Sequence, residues 1–233
     1  MYSIPFINLS FTLIPLVFVW YFYKKWTSNQ NEIVISTIRM VTQLVAIGYL
    51  LIFIFESKNV YLGLFIMLFM VTVSSLITLR VTNEKNPKHY FQIFVSVLVS
   101  GFINLALITI FVLELSPLYD PRFVIPIAGM VFSNSMNALS IAIERFEKER
   151  QRGEEFEKSR EIAFKACMIP QINSLLAVGL VSLPGMMTGQ ILSGVDPLIA
   201  VRYQIMIMTM ILSNAGISAI IYFTLKKSSK RAI

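Results

Sequence analysis

The chain is 233 residues long, 56% apolar and only 14% charged, against about 45–50% and roughly 25% in soluble domains, which argues against a water-soluble globular protein. Its 20 Lys and Arg against 13 Asp and Glu leave a net charge of +7, so the placement of the positives carries information. One Cys and one His exclude an intramolecular disulfide and paired-histidine haem or zinc sites within one chain.

A helix needs about 20 mostly apolar residues to span a bilayer. Seven stretches meet that requirement: Ile4 to Tyr23, Ile33 to Phe55, Val60 to Leu79, Tyr90 to Leu115, Phe123 to Ile143, Ala163 to Leu183 and Leu198 to Leu225. The expected fold is therefore all-α, a polytopic membrane protein of about seven transmembrane helices in which residues 1–233 form a single transmembrane domain. The first stretch has no basic segment before it and no small-residue cleavage site, so it reads as a retained helix. Basic residues favour the cytoplasmic side. Successive connections hold two, one, three, one, six and no Lys or Arg, and the tail after Leu225 holds four. That alternation predicts an outside N-terminus and a cytoplasmic C-terminus.

The linker at residues 144–162 holds seven of the thirteen acids and six bases, with opposite charges four apart at Glu144 and Lys148 and at Glu154 and Lys158, a spacing that supports a helix in water. Two readings are open. One is a solvated connector; the other is a docking surface for a cytoplasmic partner, with Glu144, Arg145, Glu154, Glu155, Lys158 and Arg160 as its contacts.

Several polar groups sit at membrane depth, where they are costly. Arg39 lies about two turns inside the second stretch with Gln43 one turn later; either it snorkels to the headgroups or the pair forms an internal polar strut. Pro126, Gly129, Ser133, Asn134, Ser135 and Asn137 cluster in the fifth stretch, whose amides need partners that lipid cannot supply. The sixth repeats the theme with Pro170, Gln171, Asn173 and Ser174 and then breaks at Pro184, Gly185, Met186, Met187 and Gly189. Interrupted helices of this kind present backbone to cargo in several transporters, while small residues also serve plain helix packing. Met186, Met187, Met206 and Met210 are weak candidates for soft metal ligation and equally suit adaptable packing. Asp196 and Arg202 near the outer end of the last stretch could pair. The chain has no P-loop, no HExxH and no Lys in the last stretch, so it binds no nucleotide through a Walker motif and resembles neither a zinc protease nor a retinal protein.

Arg39-x-x-x-Gln43-Leu44-x-x-x-Gly48-Tyr49-Leu50, Val124-Ile125-Pro126-Ile127-Ala128-Gly129-Met130 with Asn134-x-Met136, the run from Val178 through Ser182-Leu183-Pro184-Gly185-Met186-Met187-Thr188-Gly189 to Leu192, and Gly194-x-Asp196-Pro197-x-x-Ala200-x-x-Tyr203-Gln204 together resemble the FetB-type family of ABC-transporter permease subunits. The resemblance extends over nearly the whole chain. It implies a multi-pass permease of the plasma or inner membrane that binds no cofactor itself, pairs with a second copy, and works with a separate cytoplasmic ATPase that consumes ATP. In bacteria the family is linked to iron export, and in plants to aluminium tolerance. The polar residues above, with Arg202 and Gln204, would then line the path or brace it. One departure stands out: the family carries a Leu-Gly-Ala-Thr-Pro-like turn before the sixth span, whereas here the charges run directly through Ser159-Arg160-Glu161 to Ile169-Pro170. The alternative class is a membrane scaffold or receptor that docks a cytoplasmic protein without transport. No feature points to nucleic acid.

Overall fold

The computed structural model describes residues 4–27, 31–57 and 59–231. They form helices α1 (Phe6–Ser10), α2 (Leu13–Trp26), α3 (Glu32–Ser57), α4 (Val60–Leu79), α5 (Pro87–Ala106, continued by a π-helical stretch Leu107–Val112), α6 (Pro121–Gln151), α7 (Phe156–Ala177), α8 (Gly185–Leu192) and α9 (Pro197–Arg231). Among the described residues six helical segments are long and apolar enough to cross a membrane: Ile7–Trp26, Glu32–Glu56, Val60–Leu79, Pro87–Val112, Pro121–Gln151 and Pro197–Ser228.

The expected sixth span, Ala163 to Leu183, is not among them. Its helix, α7, begins earlier among charges and stops at Ala177. The apolar part after Lys165 covers about 18 Å at 1.5 Å per residue, short of a hydrocarbon core of about 30 Å. Gly179 at φ +82° turns the chain out of the helix, and α8 restarts only after Pro184. The first span likewise divides into α1 and α2, because Phe11 and Thr12 bond back to Asn8 and Leu9, three residues earlier, rather than continuing the helix.

Helix starts follow from local chemistry. Asn59 accepts from the N–H groups of Tyr61 and Leu62, Asn86 from His89, Asp120 from Arg122, and Asp196 from Leu198 and Ile199. In three of these the next residue is Pro, whose missing N–H costs nothing at the first helical position.

The chain divides into two compact units, Met1–Ser57 and Lys58–Ile233. In the first, α2 has no buried residue, and a ladder of Phe18, Phe22 and Trp26 rings runs along it with centroids 4.9 and 5.1 Å apart. The Tyr23 hydroxyl donates to Glu32 Oε2 at 2.6 Å, tying α2 to the start of α3.

The second unit is built around α6, which packs against α4, α5, α7 and α9. Small residues let the helices approach closely: Ala128, Ser135, Ala138 and Ala142 on α6, Ser96 and Ser100 on α5, and Ala215, Ser218 and Ala219 on α9 are all buried. This is the packing mode expected where lipid offers no hydrophobic drive between helices. Gly101 shows how tight it is: a Cβ there would stand 2.3 Å from the Phe132 ring. Between the helices Asn214 Nδ2 donates to Val131 O at 2.7 Å and to Ser135 Oγ at 2.6 Å, and Ser100 and Ser135 hydroxyls lie 3.3 Å apart.

The charged linker is no separate connector helix. Residues through Gln151 extend α6, four residues turn the chain, and α7 begins at Phe156. Gly153, at φ +90°, makes the turn; its N–H donates to Arg150 O and that of Glu154 to Glu149 O, each at 3.2 Å. Glu144 pairs with Lys148 as its spacing predicts. The expected Glu154–Lys158 pair does not form, because Glu154 lies in the turn, and Lys158 bonds Glu161 at 3.0 Å instead.

Candidate functional site

The loops that carry most of the positive charge in the second unit meet at one end of it. Lys226 Nζ of α9 donates to Glu84 Oε2 at 2.5 Å, Lys227 of α9 pairs with Glu157 of α7 at 2.5 Å, and Glu147 of α6 accepts from Thr82 and Asn83. Behind these contacts His89 is buried, its Nε2 2.8 Å from the Tyr222 hydroxyl and its Nδ1 2.8 Å from Glu84 O. The cluster joins α5, α6, α9 and the α4–α5 loop beside a cleft of about 340 Å³ lined by Asn83, Glu84, Glu147, Arg150 and Lys226. Sequence reasoning missed it. The available signal was a stripe of polar residues on α5 at helical spacing, His89, Gln92, Ser96, Ser100 and Asn104, all of which are buried; a stripe of that kind on an apolar helix marks a polar seam between helices.

The proposed docking residues lie on or beside the α6–α7 hairpin and are largely paired within it. Arg145 and Arg152 both bond the buried Glu149, at 2.8 and 3.0 Å, and Arg160 bonds Glu157 at 2.5 Å. Glu154 and Glu155 are exposed in the turn. Phe146, Phe156 and Phe223 pack beneath, with ring centroids 5.2 and 5.3 Å apart, fixing the hairpin to α9.

The polar residues expected at mid-membrane depth divide three ways. Asn134 Nδ2 of α6 donates to Gln171 Oε1 of α7 at 3.1 Å, and Gly129 faces Met70 of α4. Pro126, Asn137 and Asn173 lie on exposed faces of α6 and α7, so the fifth span is buried on one side only. Arg39 and Gln43 are exposed on α3 and form no internal strut within the first unit. Asp196 caps α9 through its Oδ1 and makes no ion pair with the exposed Arg202 among the described residues.

The break between α7 and α8 leaves a half-open cavity, to which the Pro184–Gly189 segment contributes Met187. Between the end of α7, the following loop, α8 and α9 lies a space of about 300 Å³ lined by Leu175, Val178, Gly179, Leu183, Met187, Val201, Gln204, Ile205, Met208 and Thr209. Pro184 starts α8 and accepts from Thr188 N at 3.0 Å and from the Thr188 hydroxyl at 3.1 Å. Open space surrounds Gly185 and Gly189, where a Cβ would meet nothing within 4 Å. Of the four methionines considered as metal ligands only Met187 lines this cavity; Met206 and Met210 are buried in α9, and Met186 is half-buried. Among the described residues no three His, Cys, Asp or Glu side chains gather as a metal would require.

Long apolar helices, polar seams between them and charge collected at one end define a multi-pass helical membrane protein. The chain belongs to the family described as "Uncharacterised protein family (UPF0014)", which it matches over residues 6–229. It is 33% identical to the "Probable iron export permease protein FetB" of Escherichia coli, covering 88% of this chain and 84% of that one. It is 31% identical to the "UPF0014 membrane protein YjkA" of Bacillus subtilis over 93% of this chain and 91% of that one, and 29% identical to the Arabidopsis thaliana "Protein ALUMINUM SENSITIVE 3" over 85% and 77%. No solved structure matches the chain.

Proposed function

We propose that the chain is the membrane-spanning subunit of an ABC transporter that exports a metal ion such as iron, acting as a pair of permease chains with a cytoplasmic ATPase. The observation that carries this reading is the interrupted α7–α8 segment, beside which α6 and α7 expose Asn137 and Asn173. Amides facing lipid would leave donors unsatisfied, whereas a second copy or a water-filled path supplies partners. Likeness to a protein named as an iron export permease supports the cargo class.

In this reading the 233 residues act as one permease domain with seven crossings, the sixth being α7, its loop and α8 together. The N-terminus lies outside, and the charged end, with the α6–α7 hairpin, faces the cytoplasm. Asn134, Gln171, Asn137 and Asn173 line the path. The chain binds no cofactor; ATP is used by the partner, which docks on Glu144, Arg145, Glu154, Glu155, Lys158 and Arg160. The short hairpin turn stands in place of the family's longer coupling turn. Alternating access then follows from ATP-driven shifts between two arrangements of the same helices.

Co-purification tests the proposal. The tagged chain should bring down an ATPase whose turnover rises with ferrous iron, and inverted vesicles holding both should take up iron with ATP. Loss of uptake in Asn134→Ala with normal expression supports the path; if no ATPase accompanies the chain and iron leaves its membranes unchanged, the chain is a scaffold and the proposal fails.

A further inference from the structure

The cavity at the α7–α8 break has a chemistry that suits no hydrated ion. No charged residue lines it, and apart from Gln204 and Thr209 its lining side chains are apolar. Thr209 has already given its hydroxyl hydrogen to Ile205 O at 2.9 Å and Met206 O at 3.0 Å. Gln204 is different. It is 5% exposed, its Oε1 is buried with no partner, and its amide makes no side-chain hydrogen bond among the described residues. A buried amide left unpaired carries a desolvation cost that a ligand's polar group would remove. Rotating the amide exchanges its oxygen and nitrogen, so it can accept from a hydroxyl or donate to a carbonyl.

We propose that this cavity binds an uncharged, mostly apolar molecule bearing a single hydroxyl or carbonyl group, held by the Gln204 amide. The size fits: about 300 Å³ lies at the lower end of small-molecule sites, which run from about 300 to 1,000 Å³. Water is a poorer occupant, since an ordered water wants two to four polar partners and the lining side chains supply only the Gln204 amide and the Thr209 oxygen, which can only accept. A metal cation is a worse one, since it would exchange its hydration shell for one amide oxygen and two thioethers, Met187 and Met208. The site stands whether or not the chain transports anything.

Photolabelling of the full chain in lipid nanodiscs tests this. The probe 3-azi-1-octanol should label peptides containing Met187 and Met208, and excess 1-octanol should suppress the label. Competition by a long-chain polyisoprenol, which has one hydroxyl, as well identifies the natural occupant as a neutral membrane lipid; competition by octanol alone identifies a smaller solute. In Gln204→Leu, labelling should fall roughly five- to tenfold, the worth of one hydrogen bond, while a diazirine alkane lacking the hydroxyl labels as before. Val201→Phe, which fills the space, should abolish both; Ile205→Phe serves if that variant elutes abnormally in gel filtration. Equal azi-octanol labelling of wild type and Gln204→Leu, or labelling that survives both filling variants, overturns the proposal.

Discussion

Asn83 closes on Glu147 with two groups at once: its main-chain N–H and its Nδ2 both donate to Glu147 Oε2, at 2.9 and 3.0 Å. The two residues are 64 positions apart in sequence, and Thr82 gives its hydroxyl to the other carboxylate oxygen. One side chain thereby anchors the α4–α5 loop to α6. Glu147→Ala should destabilise the second unit by about 1.5–3 kcal/mol, the range for hydrogen bonds to a charged group. Asn83→Ala should cost less, because the main-chain bond survives. Thermal midpoints of the purified variants in detergent give the ranking; equal midpoints for Glu147→Ala and wild type would count against this anchor.

Three glycines on helices separate packing from propensity. A Cβ at Gly101 would meet the ring of Phe132, itself 1% exposed and unable to swing away, so Gly101→Ala should destabilise by about 1–3 kcal/mol despite the better helix former. Phe132→Leu in the same chain should recover part of that loss. At Gly63 the clash is with the hydroxyl end of Tyr119, which is only half-buried, and the cost of Gly63→Ala should be smaller. A Cβ at Gly48 would meet nothing within 4 Å among the described residues, and Ala there should be neutral or stabilising by up to about 1 kcal/mol. Unfolding assays that returned the reverse order would contradict the packing described.

Asn214 sits where both its shape and its donors matter. Asn214→Leu keeps the branched shape with bulkier methyl groups and gives up two hydrogen bonds and an unpartnered Oδ1, so its expected loss is about 1–3 kcal/mol from the lost bonds and tighter packing. Asn214→Asp should lose far more. Its carboxylate would face the Val131 carbonyl with no donor to offer, in a place 0% exposed, where an unpaired charge is costly. Comparing expression and midpoint of the two variants checks the inequality.

Topology is open to direct chemistry because the chain has one cysteine, Cys167, and it is buried. Burial also keeps a polar reagent away from that thiol. In a Cys167→Ala background, Glu154→Cys at the hairpin turn should react with a membrane-impermeant maleimide only after the cells are opened. Ser193→Cys, beyond α8, should react in intact cells. The same labelling pattern for both positions would refute the seven-crossing arrangement.

Much of the helical layout was legible because it depends on composition and end chemistry. Val60 to Leu79 coincides with α4 residue for residue, since Asn59 caps one end and Arg80 leaves the other. Legibility failed where continuity was decided by contacts rather than by hydropathy. Charge made residues 144–151 look like a linker, yet Arg145 bonds Glu149 and Lys148 bonds Glu144 along the same helix, and these pairs carry α6 onward. Conversely, the apolar Val178 to Leu183 looked like membrane helix, yet Gly179 and Pro184 break it. The Pro184–Gly189 region was readable as a break and Gln204 as a polar residue of the path, but the cavity that joins them was not, because it draws its walls from α7, α8 and α9 together. The cluster at His89 escaped for a related reason: Thr82, Glu84, Glu147 and Lys226 are ordinary at the ends of helices, and only folding brings them into one network.

The four-residue turn between α6 and α7 leaves no slack. With Gly153 holding the connection and Phe156 and Phe223 both packed against Phe146, neither helix can slide far along its own axis without dragging the other. Anything that grips the tip therefore moves a pair of rods, and α9 with them, as a single lever. Threading a flexible glycine-serine stretch into that turn would convert the lever into a tether, with every residue of the interior left in place.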